Sequence, residues 1–200
     1  MHLRDITGHL VLIMAPTGSG KGTLVSHIRS VFPVVTHTVS CTTRERRPQE
    51  VDGVNYYFLT RQAFTEKIEV NEFLEWAEFG GNLYGTLRSE LVDRLSRGEV
   101  VICEIEVQGV LQLLTYIPRE HKTLIYIDAG DWDTLVRRAR ARAPISDTEI
   151  ALRHERYLEE VTHKELADIV VYNRDGEIEK AQEHMIAIIK NIISKTESHT

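Results

Sequence analysis

The residues best equipped for chemistry come early in the chain. Ala15-Pro16-Thr17-Gly18-Ser19-Gly20-Lys21-Gly22-Thr23 directly follow the apolar run Val11-Leu12-Ile13-Met14. A strand that feeds a glycine-rich loop and then a helix turns backbone N–H groups inward onto phosphate oxygens, and the helix N-terminus adds a positive dipole. From such a loop Lys21 reaches the terminal phosphates of a nucleotide. The segment departs from G-x-x-x-x-G-K-[ST] at two places, with Ala15 at the first glycine and Gly22 where a metal-binding hydroxyl is expected. Ala15 is tolerated if its φ is negative, since only positive φ demands glycine. Thr23, one residue on, supplies the hydroxyl. A merely flexible surface turn would not require the helical stripe Leu24, Val25, Ile28 and Phe32 that follows.

A second constellation begins at Ser40-Cys41-Thr42-Thr43-Arg44-Glu45-Arg46-Arg47-Pro48 and continues through Tyr56, Glu75-Trp76 and Gly81 to Thr86. Guanidinium groups bind phosphate through paired N–H donors, and tyrosine hydroxyls add neutral hydrogen bonds. Arg44, Arg47, Tyr56 and Tyr84 therefore form a candidate phosphate clamp. A carboxylate that accepts two parallel bonds matches the adjacent N1–H and N2–H₂ of guanine, a donor pair that adenine lacks, which makes Glu75 a candidate base reader. Taken alone, Glu75 reads equally as an ordinary surface glutamate. Glu45 and Arg46 read as a solvated charge run, and Trp76 and Phe79 as core.

Two charged groups complete the set. Val100 to Glu106 is an apolar strand ending in Glu104 and Glu106, two apart and so on one face of a strand. A carboxylate there can hold Mg²⁺ through its waters, or it can salt-bridge nearby arginines. Arg137, Arg138, Arg140, Arg142 and Arg153 form a basic cluster in which Arg138 and Arg142 share a helix face. Asn173, after the last strand, is a common turn former.

These residues must be positioned by alternating elements. Leu10 to Met14, Val34 to Val39, Val100 to Ile105, Leu124 to Ile127 and Ile169 to Tyr172 read as strands, apolar enough to be buried on both faces of a parallel sheet. Helices are expected near Gln62 to Val70, after a Ser146-x-x-Glu149 capping box with Ile150, His154, Tyr157 and Val161 on one face, and from Ile178 through Ala181, Met185, Ile188 or Ile189, and Ile192. The pattern predicts an α/β three-layer sandwich around a five-stranded parallel sheet. Residues 40–90 and 133–153 are excursions from it, which leaves 1–39, 91–132 and 154–200 as the core; Ser194 to Thr200 read as a frayed end.

Composition narrows the partners. The chain has 200 residues, 42% hydrophobic, with 24 Lys+Arg against 30 Asp+Glu and a net charge of −6. That balance gives no basic field for nucleic acid or a membrane surface. Cys41 and Cys103 read as small buried hydrophobes, too few for a disulfide framework or a cysteine-rich zinc site, and the nine histidines show no metal spacing. No apolar run approaches the ~20 residues of a membrane span, and the N-terminus lacks a signal-peptide core, so a cytoplasmic setting is expected.

The blocks Ser40 to Arg47, Glu50-Val51-Asp52-Gly53 with Tyr56, Asn71 to Ala77, Gly81 to Thr86 and Gln108-Gly109 resemble guanylate kinase, in order and spacing along nearly the whole chain. The resemblance implies a P-loop NTPase-type core with a mixed α/β GMP-binding insertion at 40–90 and an arginine-rich lid at 133–153. It implies transfer of the ATP γ-phosphate to GMP or dGMP with Mg²⁺. By the family pattern Ser40, Glu75 and Thr86 hold guanine, and Arg44, Arg47, Tyr56 and Tyr84 hold its phosphate. Residues 15–23 and Asn173 hold ATP, Lys21, Arg44, Arg138, Arg142 and Arg153 act on the transferring group, Thr23 and Glu104 serve the metal, and Glu106 serves the GMP side. The family usually has Asp at positions 104 and 106, and often Gly where Ala143 stands. A guanylate-kinase-like binding module with weak catalysis is the alternative. A P-loop GTPase is disfavoured by the absence of Asn-Lys-x-Asp.

Overall fold

The computed structural model describes residues 6–105, 107–142 and 145–198. Its strands are β1 (His9–Met14), β2 (Thr36–His37), β3 (Cys41–Thr42), β4 (Tyr57–Phe58), β5 (Phe73–Phe79), β6 (Asn82–Leu87), β7 (Val100–Glu104), β8 (Lys122–Asp128) and β9 (Ile169–Tyr172). Its α-helices are α1 (Lys21–Val31), α2 (Arg61–Glu69), α3 (Arg88–Ser96), α4 (Val107–Tyr116), α5 (Trp132–Arg142), α6 (Asp147–Thr162) and α7 (Ile178–Glu197).

Five strands form an all-parallel sheet in the order β2-β7-β1-β8-β9. Because side chains alternate along a strand, each strand feeds two layers. Leu10, Leu12, Met14, Val101, Cys103 and Leu124 pack with Leu91 and Leu95 of α3 and Val110 and Leu113 of α4. Val11, Ile13, Val100, Ile102, Ile125 and Ile127 pack with Leu24 and Ile28 of α1 and with Ala181, Met185 and Ile189 of α7. The three-layer α/β architecture expected from the alternation is the one observed. β2 is shorter than the expected Val34 to Val39. It has one neighbour, pairing only Thr36 and His37 with β7, and Val34 is 61% exposed.

A second, mixed sheet, β4-β3-β6-β5, is built from residues of the first excursion. Its small core holds Cys41, Phe64, Phe73 and Leu83, with the Phe64 and Phe73 rings stacked at 4.2 Å. Trp76, expected in a core, is 40% exposed: it lies on β5, at the edge of this thin sheet.

The second stretch set apart in the sequence, 133–153, takes in most of α5 and the first turns of α6. Ser146 caps α6 as the sequence predicts, its hydroxyl accepting the Glu149 N–H at 3.2 Å. Trp132 joins the helices, its ring 4.7 Å from His154 and 5.4 Å from Tyr157. Of the rest of the expected α6 face, Ile150 is half-buried and Val161 exposed. α7 runs on to Glu197 where fraying was expected, because buried Ile192 and Thr196 continue its apolar stripe. No described helix is long and apolar enough to cross a membrane.

Candidate active site

The loop between β1 and α1 is shaped for backbone donation. Gly18 and Gly20 take φ of 90° and 87°, a region that side chains avoid, and Gly20 caps α1. Among the described residues Asn71 is the one non-glycine with positive φ, so Ala15 fits without the family glycine. Gly22 borders open space, so no steric demand accounts for the second departure. The Ser19 N–H donates to the Pro16 carbonyl at 3.1 Å, while its hydroxyl is buried with no hydrogen-bond partner among the described residues. Such a group is expected to find a ligand or water partner.

Two other segments close on this loop. The buried Asn173 side-chain amide donates to the Ser19 carbonyl at 2.7 Å, and a Cβ at Gly20 would lie 2.4 Å from the same Asn173 nitrogen. A Cβ at Gly18 would lie 3.3 Å from the Leu135 carbonyl of α5. Asn173 and the start of the second excursion thus touch the phosphate loop directly.

Glu104 ends β7 beside this loop. Its carboxylate lies 3.3 Å from His37 Nε2. Burial works to raise its pKa, but the His37 contact and the charge of Lys21 outweigh it and hold the carboxyl below the usual range. The charge of the same lysine also works to lower the pKa of Tyr56, which burial raises. Glu106 lies outside the described residues.

On the second sheet, Tyr56 and Tyr84 meet edge to face at 6.1 Å, and the Arg44 guanidinium stands 5.5 Å from the Tyr56 ring centroid. Arg44 is also gripped by Glu50, its Nη2 donating to both carboxylate oxygens at 2.8 and 3.0 Å. The Arg47 N–H donates to the same carboxylate at 2.9 Å, while its side chain is exposed. Ser40 is half-buried and its carbonyl accepts the Tyr57 N–H.

Glu75 is 5% exposed and lies across β5 and β6 from the fully buried Thr86. A Cβ at Gly109 of α4 would fall 2.4 Å from Glu75 Oε2, which places that carboxylate against bare helix backbone. Below it, Thr86 Oγ1 sits 4.0 Å from Cys103 Sγ, a thiol whose pKa burial pushes up to about 12. Cys103 is therefore an inert, packed thiol, as the sequence suggested.

The basic cluster divides. Arg138 donates from Nε to Asp175 and from Nη2 to the Asn173 carbonyl, each at 2.9 Å, beside the phosphate loop. Arg153 pairs with Glu149 at 2.5 Å, and the exposed Arg140 with Asp147 at 3.3 Å. Arg142 closes α5, and Ala143 lies outside the described residues. Asp175 and His37 join the site without having been singled out from the sequence, and Glu50 and Gly109, quoted there only within blocks of the resemblance, join it in roles not assigned to them. For Asp175 the sequence signal is nearness to a residue already named, two places after Asn173.

A family model described as "Guanylate kinase" matches residues 7–192. A protein named guanylate kinase from Synechococcus sp. (strain JA-3-3Ab) is 39% identical over 91% of this chain and 82% of its own length. One of the same name from Rubrobacter xylanophilus is 37% identical over 94% of this chain and 96% of its own. The crystal structure of guanylate kinase from Anaplasma phagocytophilum superposes with a TM-score of 0.71 at 28% identity, over 94% of this chain and 87% of that one.

Proposed function

Because this chain belongs to the guanylate kinase family, we infer that it is an ATP:GMP phosphotransferase, moving the γ-phosphate of ATP to GMP or dGMP to give ADP and GDP or dGDP. The observation in the fold that carries the acceptor side is the buried Glu75 carboxylate, set against Gly109 and opposite Thr86. Guanine presents an adjacent N1–H and N2–H₂ donor pair whose geometry suits a carboxylate held in this position.

In this reading residues 40–90 form the GMP-binding domain, 133–153 the lid, and the remainder the core. Backbone N–H groups of residues 15–23 cradle the ATP phosphates, and Asn173 lies at the adenine side. Ser40, Glu75, Thr86 and Glu106 bind guanine and its nucleoside, and Arg44, Arg47, Tyr56 and Tyr84 hold the acceptor phosphate. An acceptor phosphate oxygen attacks the γ-phosphorus in line while the bond to the ADP oxygen breaks. Lys21, Arg44 and the lid residues Arg138, Arg142 and Arg153 take up the charge that spreads over the transferring group. Glu50 holds Arg44 before the acceptor phosphate arrives, with the guanidinium turned over Tyr56. Closure of lid and acceptor domain excludes water, which otherwise would receive the phosphoryl group.

The donor set suits Mg²⁺. Thr23 is exposed in the first turn of α1, and Glu104 is a hard oxygen donor kept ionised at the adjacent strand end. These two would hold the ion, Glu104 through its waters, and the ion would neutralise charge on the ATP phosphates.

The test is ADP production from ATP and Mg²⁺ with GMP, dGMP, AMP, CMP or UMP supplied in turn. Turnover with the guanine nucleotides alone is expected. Turnover with another acceptor removes Glu75 from the base-reading role. A folded protein that binds GMP without turning it over points to a binding module.

A further inference from the structure

The loop between β9 and α7 holds an acidic side chain to which the phosphotransfer reading gives no part. Asp175 accepts hydrogen bonds from Arg137 and from Arg138, two consecutive residues of α5, and the Arg138 bond is 2.9 Å from Nε. Arg138 Nη2 also lies 2.8 Å from the same Asp175 oxygen and donates to the Asn173 carbonyl at 2.9 Å. Asn173 in turn donates to Ser19 of the phosphate loop. A continuous file of contacts therefore runs from the loop through Asn173 to Arg138 and ends on Asp175.

Such a file costs little to break as far as folding goes. Asp175 and Arg137 have side chains 52% and 60% exposed, and ion pairs of that kind add little stability. Their value lies in geometry. An arginine side chain has much rotamer freedom, and a guanidinium fixed along two of its edges approaches a phosphate already oriented. The Asp175 carboxyl is suited to the task, since its bonds to Arg137 and then Arg138 keep it ionised.

We propose that Asp175 is a positioning residue for phosphotransfer, fixing the Arg138 guanidinium against the Asn173 carbonyl at the donor side of the phosphate loop. The proposal rests on the role given to Arg138 above. It acts on the ATP side alone, because none of these contacts reaches the second sheet.

The experiment compares Asp175→Ala, Asp175→Glu, Arg138→Ala and the double variant Arg138→Ala/Asp175→Ala. Steady-state kinetics with GMP and ATP are read beside thermal unfolding. For Asp175→Ala we expect kcat to fall on the order of 10- to 100-fold, with a raised KM for ATP, an unchanged KM for GMP and an unchanged unfolding midpoint. Asp175→Glu restores part of the loss. The double variant is no slower than Arg138→Ala, because Asp175 works through Arg138. Wild-type kinetics for Asp175→Ala beside a crippled Arg138→Ala overturn the proposal and leave the phosphotransfer reading standing. A lowered KM for ATP in Asp175→Ala also overturns it, making Asp175 a competitor for the arginine. Full activity in Arg138→Ala removes the role of Arg138, and the proposal falls with it.

Discussion

At Gly109 a helix backbone and a carboxylate share a space too small for one more methyl group. An added Cβ would lie 2.4 Å from Glu75 Oε2 and 2.7 Å from the Ile105 side chain, so one of them must move. The helix is tied to the core through Val107, Val110 and Leu113, whereas the glutamate head can swing. Gly109→Ala is therefore expected to raise the KM for GMP by about 10-fold or more, since a site built on hydrogen bonds depends on their placement, and to leave the KM for ATP alone. Kinetics with each substrate varied in turn check this; an equal rise for both would place the damage in the fold. Lys21 makes the opposite case, because in the proposed mechanism its Nζ is itself the group that acts on the transferring phosphoryl. Lys21→Ala is expected to lower kcat on the order of 10³-fold, as the loss of a transition-state cation does in related phosphoryl transfers, with circular dichroism unchanged. Retained turnover in that folded variant would remove the phosphate-loop assignment.

Among the elements, α6 depends on a single hydroxyl for its start. Ser146→Ala removes the acceptor for the Glu149 N–H and should cost α6 about 1 kcal/mol. Amide exchange in the first turn of α6 should then quicken roughly fivefold, and Ser146→Asp should restore the protection. This cap was legible before any coordinates because it is local: acceptor and donor lie three residues apart. The same holds for β9, whose Ile169–Tyr172 matches its apolar run residue for residue. β2 was overestimated because Val34 to Val39 looks buried on both faces, yet an edge strand has one partner and covers only two of those residues. Residues 40–90 read as holding short strand-like pieces, but β3 and β4 could not be bounded, because a two-residue strand exists only by virtue of its neighbours, here Gly85 and Tyr84 of β6 for β3 and Cys41 and Thr42 of β3 for β4. The site divides in the same way. Arg44, Glu75 and Arg138 could be named from their types and surroundings in sequence. The partners of Glu75 and Arg138 could not, since Glu75 meets Gly109 and Arg138 meets Asp175 only after the chain has returned through the sheet, whereas Arg44 meets Glu50 six residues on.

For the whole molecule, the two ends of β1 do different work. Its C-terminal end delivers the phosphate loop, while His9 at its start is tied to Thr123 of β8 at 2.8 Å. Burial, aided by the positive neighbours His121, Lys195 and Arg119 and opposed by Asp168, lowers the His9 pKa from 6.5 to about 4. The folded protein thus resists a proton that the unfolded chain accepts. Stability linked to His9 is complete above pH 6.5 and is lost as the pH falls toward about 4. Glu50, Glu104 and Asp128, all held below their usual range, withdraw their contributions only at lower pH, when these carboxylates take up protons. The two effects are therefore separable along the pH axis. Urea unfolding midpoints should already decline between pH 6.5 and 5, and His9→Gln should flatten that decline while leaving the acid limb in place. The same variant should leave the pH profile of kcat untouched, because His9 stands at the opposite end of the strand from the β1–α1 loop to which the ATP phosphates are assigned above. A decline that persists unchanged in His9→Gln would assign the window to another histidine.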